Sequence, residues 1–246
     1  RIPSNMNTLK NISKPYADYT GDDLEKFLAD HQLKHKPGTE FWYSNLGMGL
    51  LGYALAKHAG KSYEEMVEQQ ICQPLQMHDT RVALSEDQLA RMASGIAMWG
   101  LPTKAWDFAD GIPGCGAIRS TLHDMLIYVR ANLSPDSSPL AKAIELAHHP
   151  RFTVREATEK KPSKREIGLA WLITTDRGKT IVWHNGMTGG YAAFVAMVPA
   201  EQLGIVVLAN QATSDVDKFG NDLLKDLLDG KLQFDSAPAA DAQSQH

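Results

Sequence analysis

The chain has 246 residues, 43% of them hydrophobic and 22% charged, with a formal net charge of −4. That is enough material for one large domain or two small ones, and the mild acidity leaves no basic footprint for nucleic acid. The longest apolar stretch, Leu46–Ala56, holds three glycines and is well short of the roughly 18 residues a membrane span needs.

In chain order, residues 1–19 are rich in Asn and Pro and read as an irregular crossing segment. Thr20-Gly21-Asp22-Asp23 is a capping box that opens a helix to about Lys34, with Leu24, Phe27 and Leu28 on one face. Pro37-Gly38 ends that segment. A helix with a broad apolar arc, buried in a helical cluster, is predicted from Leu46 to about Ala59, with Gly60 as its cap. Ser62–Glu65 opens a third helix that Pro74 ends. His78 to Phe108 reads as loop with short helices, its Trp99, Trp106 and Phe108 forming core or a substrate wall. After the turn cluster Gly111–Gly116, Ser120-Thr121 begins a helix that faces Met125, Leu126 and Val129 inward. Asn132–Pro139 is a loop and Leu140–His148 a shorter helix. His148 and His149 point to different faces there and read as a solvated helix end, not a metal pair. Cys72 and Cys115 fit no metal-ligand spacing and read as small packed hydrophobes; no metal or cofactor is expected.

Thr153–Glu166, dense in charge, reads as an exposed linking loop and as the boundary between a mainly helical part (20–152) and a sheet part (153–234). Ile167–Thr174 resumes strand character, and Asp176-Arg177-Gly178 makes a hairpin turn. Lys179–Trp183, Tyr191–Val198 and Gly204–Leu208 are β-branched and aromatic, which implies an antiparallel meander. Asp217–Leu228 is a helix that sets Leu223, Leu224, Leu227 and Leu228 on the sheet and stops at Gly230; residues 235–246 read as a disordered tail.

Two stretches carry chemistry. Tyr43-Ser44-Asn45 follows Pro37-Gly38, and His184-Asn185-Gly186-Met187-Thr188 ends in the pair Gly189-Gly190, where backbone can approach another group closely. Together they resemble the Tyr-x-Asn and Lys/His-x-Gly motifs of the serine β-lactamase and penicillin-binding-protein superfamily, most closely its class C β-lactamase and family VIII esterase branch. Gln73-Pro74-Leu75-Gln76-Met77, Gly114–Thr121 with Asp124-Met125, Gly168-Leu169-Ala170-Trp171 and Leu208-Ala209-Asn210 extend the resemblance along nearly the whole chain.

The resemblance implies an α/β (α+β) fold: an antiparallel sheet flanked by helices plus an all-helical subdomain, with the cleft between them and the His-x-Gly motif on an edge strand. It implies acyl-enzyme hydrolysis of a small molecule: a β-lactam, an ester or a D-amino-acid peptide. Tyr43 matches the tyrosine that exchanges protons with nucleophile and leaving group, and His184 stands where a Lys is usual. Met187 offers a backbone oxyanion donor, and Asn45, Asn185, Gly186, Thr188 and Asn210 match substrate-binding positions. Read singly, Tyr43 is equally a helix-entry tyrosine, Asn45 an N-cap and His184 a strand-end histidine.

The family nucleophile is the serine of Ser-x-x-Lys. No serine here has a lysine three residues on; Ser13-Lys14 and Ser163-Lys164 are adjacent pairs, which share no helix face. The expectation is an N-terminally truncated fold, a portion of a serine hydrolase that lacks its nucleophile; a non-catalytic binding module is the alternative. Takeover of hydrolysis by Ser44 or a metal is a third reading. The family implies a periplasmic or secreted setting, and the truncation a homodimer that covers an open sheet edge, or poor solubility.

Overall fold

The computed structural model describes residues 14–232; the tail and most of the first 19 residues lie outside that range. Helix α1 (Gly21–Asp30) starts with the expected capping box: the Thr20 hydroxyl accepts from the Asp23 N–H, and the Asp23 carboxylate accepts from the Thr20 N–H. It stops four residues short of Lys34. Leu24, Phe27 and Leu28 pack on Tyr16, Leu46 and Ile112, whereas the next apolar residue, Leu33, is exposed, so nothing holds a further turn.

Helix α2 (Asn45–Ala59) runs from Ser44, whose side chain accepts from the Gly47 N–H, to Gly60, which adopts φ 63°. Its packed face is the one with the small residues. Gly49 lies so close to Ile112 that a Cβ would come within 2.3 Å of its Cγ1. The opposite stripe, Met48, Leu51 and Leu55, is exposed, so α2 is not buried all round. Helix α3 (Tyr63–Val67) continues through a π-helical turn, Glu68–Cys72, into α4 (Gln73–Leu75). Pro74 therefore sits inside the helix. The widened turn, in which Gln73 N–H donates to the Glu68 carbonyl, makes room for its ring, and Gln76 at φ 61° ends the run.

Helix α5 (Glu86–Arg91) is one of the short helices expected between His78 and Phe108; the two-strand hairpin there, β1 (Gly95–Ile96) with β2 (Pro102–Thr103), departs from that expectation, because its strands are too short to show alternation. Helix α6 (Leu122–Leu133) buries Asp124, Val129 and Asn132 and leaves Leu126 exposed, against expectation. Asp124 turns that face inward because its carboxylate accepts from the Asp79 N–H and the Thr80 hydroxyl, both at 2.8 Å. Asn132 belongs to the helix and donates to the Tyr128 carbonyl. Helix α7 (Ala141–His148) ends against the sheet: the His148 ring stands edge-on to Trp171, so this histidine is packed and not solvated.

One six-stranded antiparallel sheet follows in the order β3-β4-β5-β6-β7-β8. The supposed linking loop supplies its first two strands, β3 (Phe152–Arg155) and β4 (Lys164–Ile167). Charge concealed them: β3 is an edge strand, where charged side chains are tolerated, and β4, paired on both sides, keeps its charged side chains only partly buried. Strand β5 (Leu172–Asp176) starts later than expected, after a turn with Ala170 at φ 68°. Arg177 (φ 47°) and Gly178 (φ 76°) form the two-residue turn to β6 (Lys179–Thr188). Strands β7 (Tyr191–Val198) and β8 (Leu203–Ala209) complete the meander. Helix α8 (Asp215–Leu228) covers one face, with Phe194, Ala196, Val198, Ile205, Val216 and Leu224 as the core. Gly220 lets it settle onto the Phe194 ring. On the other face, Val129 of α6 meets Val182 and Met197. Among the described residues no helix is long and apolar enough to cross a membrane.

Candidate active site

The site starts from a difference in length between neighbouring strands. Strand β5 pairs with β6 only as far as Trp183, so among the described residues His184–Thr188 pairs as a strand with β7 alone. The His-x-Gly motif thus lies on an interior strand whose last five residues form a local edge, not on an edge strand. Thr188 and Tyr191 flank the two-residue Gly189-Gly190 turn and form a hydrogen-bonded pair, as two-residue hairpins do. Strict alternation then turns the backbone groups of Met187 and Asn185 away from β7, toward the open side. Gly189 has no room for a side chain: a Cβ would lie 2.4 Å from the Trp106 ring.

His184 Nδ1 is 2.6 Å from the Asn185 carbonyl oxygen. Only a protonated Nδ1 can make that bond, which leaves Nε2 as the acceptor of the neutral ring. The Asn185 side chain donates to Asp217 on α8 at 2.7 Å, and so fixes the strand end from behind. Across the cleft, the Tyr43 ring lies 6.5 Å, centroid to centroid, from that of His184. Asn45 Nδ2 donates to the Tyr16 hydroxyl at 3.1 Å. The Asn210 side chain donates to the Ser94 carbonyl, and the Asn210 backbone carbonyl accepts from the Ile96 N–H. A cleft of about 1040 Å³ is lined by Tyr43, Asn45, His184, Asn185, Gly186, Met187, Thr188 and Asn210, which brings all the residues singled out in the sequence to one place.

The cleft also has members beyond the two motifs. Tyr16 positions Asn45 and stacks on Phe108. Trp106 forms a wall, one of the two uses read for it. Arg119 ties the rim together by donating to the carbonyls of Val82 and Trp106. Its place in the Gly114–Thr121 stretch was the one signal for it. Ser44 caps α2 and is not among the lining residues. Both cysteines are free thiols. Burial pushes the Cys115 thiol up to about 12. It also raises the Tyr43 phenol above its ordinary value, with the nearby Cys115 adding to the effect. Among the described residues no group of three or more His, Cys, Asp or Glu gathers to hold a metal ion.

The Beta-lactamase family profile matches residues 5–229. The chain belongs to the beta-lactamase family. A beta-lactamase from Pseudomonas fluorescens is 30% identical over 200 residues, 71% of this chain and 56% of that protein. The D-alanyl-D-alanine-carboxypeptidase/endopeptidase AmpH of Escherichia coli K12 is 30% identical over 216 residues, 85% of this chain and 55% of AmpH. The chain spans about half the length of these relatives. Among solved structures, a class C beta-lactamase superposes with a TM-score of 0.73 at 24% identity, covering 92% of this chain and 66% of the other. That of Rhodobacter sphaeroides gives 0.71 at 23%, over 85% and 66%. These beta-lactamase folds share the arrangement described above, a mixed α/β fold built on an antiparallel sheet with helices.

Proposed function

We propose that the cleft is the acyl-transfer site of a β-lactamase-type serine hydrolase acting on a β-lactam or an ester, with the nucleophile carried by a Ser-x-x-Lys segment that these 246 residues do not contain. The observation that carries this reading is convergence. Tyr43 and Asn45 from the entry to α2, and His184–Thr188 from the open end of β6, line the same cleft. Acyl transfer needs a nucleophile, a proton carrier and oxyanion donors. A Tyr43 phenol held above its ordinary value stays protonated at neutral pH and donates; it becomes a base only beside a cation, which the lysine of Ser-x-x-Lys would bring. His184 offers Nε2 to a proton from Tyr43 or substrate. The outward Met187 N–H is an oxyanion donor, and the second would come from the nucleophile's own backbone. Asn45, Asn185, Gly186, Thr188 and Asn210 shape the substrate site around them.

The same reading accounts for the exposed apolar stripes. Met48, Leu51 and Leu55 recur at helical spacing on α2, and Leu122 and Leu126 on α6. Both helices leave the cleft by their N-terminal ends, at Asn45 and Thr121. They offer a seat to a helix whose end reaches Tyr43. A peptidase reading draws support from the open edge at 184–188, where an extended peptide can pair, and from the likeness to AmpH. The periplasmic or secreted setting and a dimer through the β8 edge belong to the same proposal.

The test is intact-mass spectrometry after incubation with benzylpenicillin, beside a chromogenic-ester assay, on this chain and on the complete product of its source gene. We expect no adduct on this chain, and on the complete product an adduct at a Ser-x-x-Lys serine with turnover lost in Tyr43→Phe. An adduct on this chain would place the nucleophile within it. Saturable ligand binding by the complete product with neither adduct nor turnover would make the cleft a binding module.

A further inference from the structure

Outside the cleft, the first two strands carry a pair of like charges that nothing in the described chain neutralises. Arg155 on β3 and Arg165 on β4 are direct cross-strand partners, so their side chains share a face. Arg165 is paired in turn with Thr174, and Thr174 with Ile181. This is the face that α8 covers further along, over β7 and β8. Like charges in directly opposed positions destabilise a sheet. Among the described residues no carboxylate lies within ion-pairing distance of either guanidinium. Of the carboxylates adjacent to the pair in sequence, Glu166 bonds Lys164 on the other face and Glu156 makes no ion pair with either arginine. Each arginine also keeps a buried Nε without an acceptor.

Both side chains are nonetheless held in place. Arg155 donates to the carbonyl and the hydroxyl of Ser163, at 3.0 and 2.9 Å. Arg165 stacks over the Trp183 ring, 5.0 Å from its centroid, and that indole is fixed by donating to the Thr174 hydroxyl at 2.9 Å. Burial, and then the charge of Arg155, pull the Arg165 pKa below its ordinary value. Two positioned, unneutralised forks match one ligand chemistry, an anion with several oxygens that accepts from both at once.

We infer that Arg155 and Arg165 form a binding site for a phosphate-type oxyanion, either inorganic phosphate or a phosphate monoester. The anion cancels the repulsion across β3 and β4 and takes the terminal guanidinium N–H groups that Ser163 leaves over, the buried Nε atoms staying out of the contact. The site is independent of the acyl-transfer reading, since neither arginine lines the cleft.

Titration calorimetry of the chain with inorganic phosphate, at ionic strength held constant with chloride, tests the site. Saturable one-to-one binding is expected, about tenfold weaker in Arg155→Gln and in Arg165→Gln and unchanged in Lys231→Gln. Glycerol 2-phosphate in a parallel titration separates the two sources: binding as tight as phosphate means a monoester site, weaker binding a site for free phosphate. Absence of saturable binding by either anion, or undiminished binding in both glutamine variants, overturns the inference. Should a glutamine variant fail to fold, Arg165→Lys keeps the charge and loses the fork; it must bind phosphate more weakly, and equal binding overturns the site.

Discussion

The sheet with α8 and the helices in front of it bury their apolar surface in different ways. In the sheet, Phe194, Ala196, Met197 and Val198 are each at most 1% exposed and belong to one strand that is covered on both faces. The helices divide their burial between two smaller clusters, one around Leu24, Leu46 and Ile112 and the other around Val67, Cys72, Leu75 and Met77. They also leave Met48, Leu51, Leu55, Leu122 and Leu126 at the surface. A meander completes itself locally, because each strand finds its partner across a turn of a few residues. A helix buries only the stripe for which another element is present, and its remaining stripes wait for one.

This contrast can be broken by mutation. Phe194→Ala removes the largest fully buried side chain of the sheet and should cost about 3–5 kcal/mol in urea unfolding. A loss below about 1 kcal/mol would mean that the sheet core is not the stable half. Next comes pH. A Cys115 thiol at about 12 leaves its thiolate far scarcer at pH 8 than in an ordinary cysteine, and a chromogenic disulfide should react with it about a thousandfold more slowly than with a model thiol. The folded form keeps this proton longer than the unfolded chain does, so the associated stability is intact below the ordinary thiol range and is lost as pH rises toward 12. Alkaline unfolding followed by circular dichroism reads that sign, and stability that grows with pH in this window would contradict it.

Asp124→Ala leaves the Asp79 N–H and the Thr80 hydroxyl without their acceptor, at about 2 kcal/mol. Hydrogen exchange should show α6 opening while β6 and β7 stay protected; simultaneous opening would erase the distinction between the two regions. Ser44→Ala removes the N-cap of α2 and should cost about 1 kcal/mol, measured by thermal melting. The smallest effect sharpens the comparison most: Leu51→Gln, on the exposed stripe, should change stability by less than about 0.5 kcal/mol. A cost comparable to a core deletion would show that the stripe is already covered in solution.

Much of the architecture was legible because it is encoded locally. Thr20 and Asp23, Ser62 and Glu65, Gly60 and the Arg177-Gly178 turn each act within four residues of one another, and each appears where the sequence placed it. Strands β6, β7 and β8 show β-branched and aromatic runs that no helix would favour. The errors fall where local signals oppose tertiary ones. Charge concealed β3 and β4, a π turn admitted Pro74, and an inward-facing Asp124 displaced Leu126 to the surface.

For the site, the sequence alone supplied the residue types and the family they point to, because Tyr43-Ser44-Asn45 and His184-Asn185-Gly186 are contiguous words. What only the tertiary structure decided is how those words meet. The end of β5 opens one side of 184–188, Tyr16 holds Asn45, and Asp217 anchors Asn185. The unneutralised pair Arg155 and Arg165 was equally invisible, because those residues are ten apart in sequence and become neighbours only through strand register. Local hydrogen-bonding and propensity rules act over a few residues and can be read along the chain. Cross-strand register, the depth of a cleft and the balance of charge across a face depend on contacts between distant segments, which no short stretch of sequence contains.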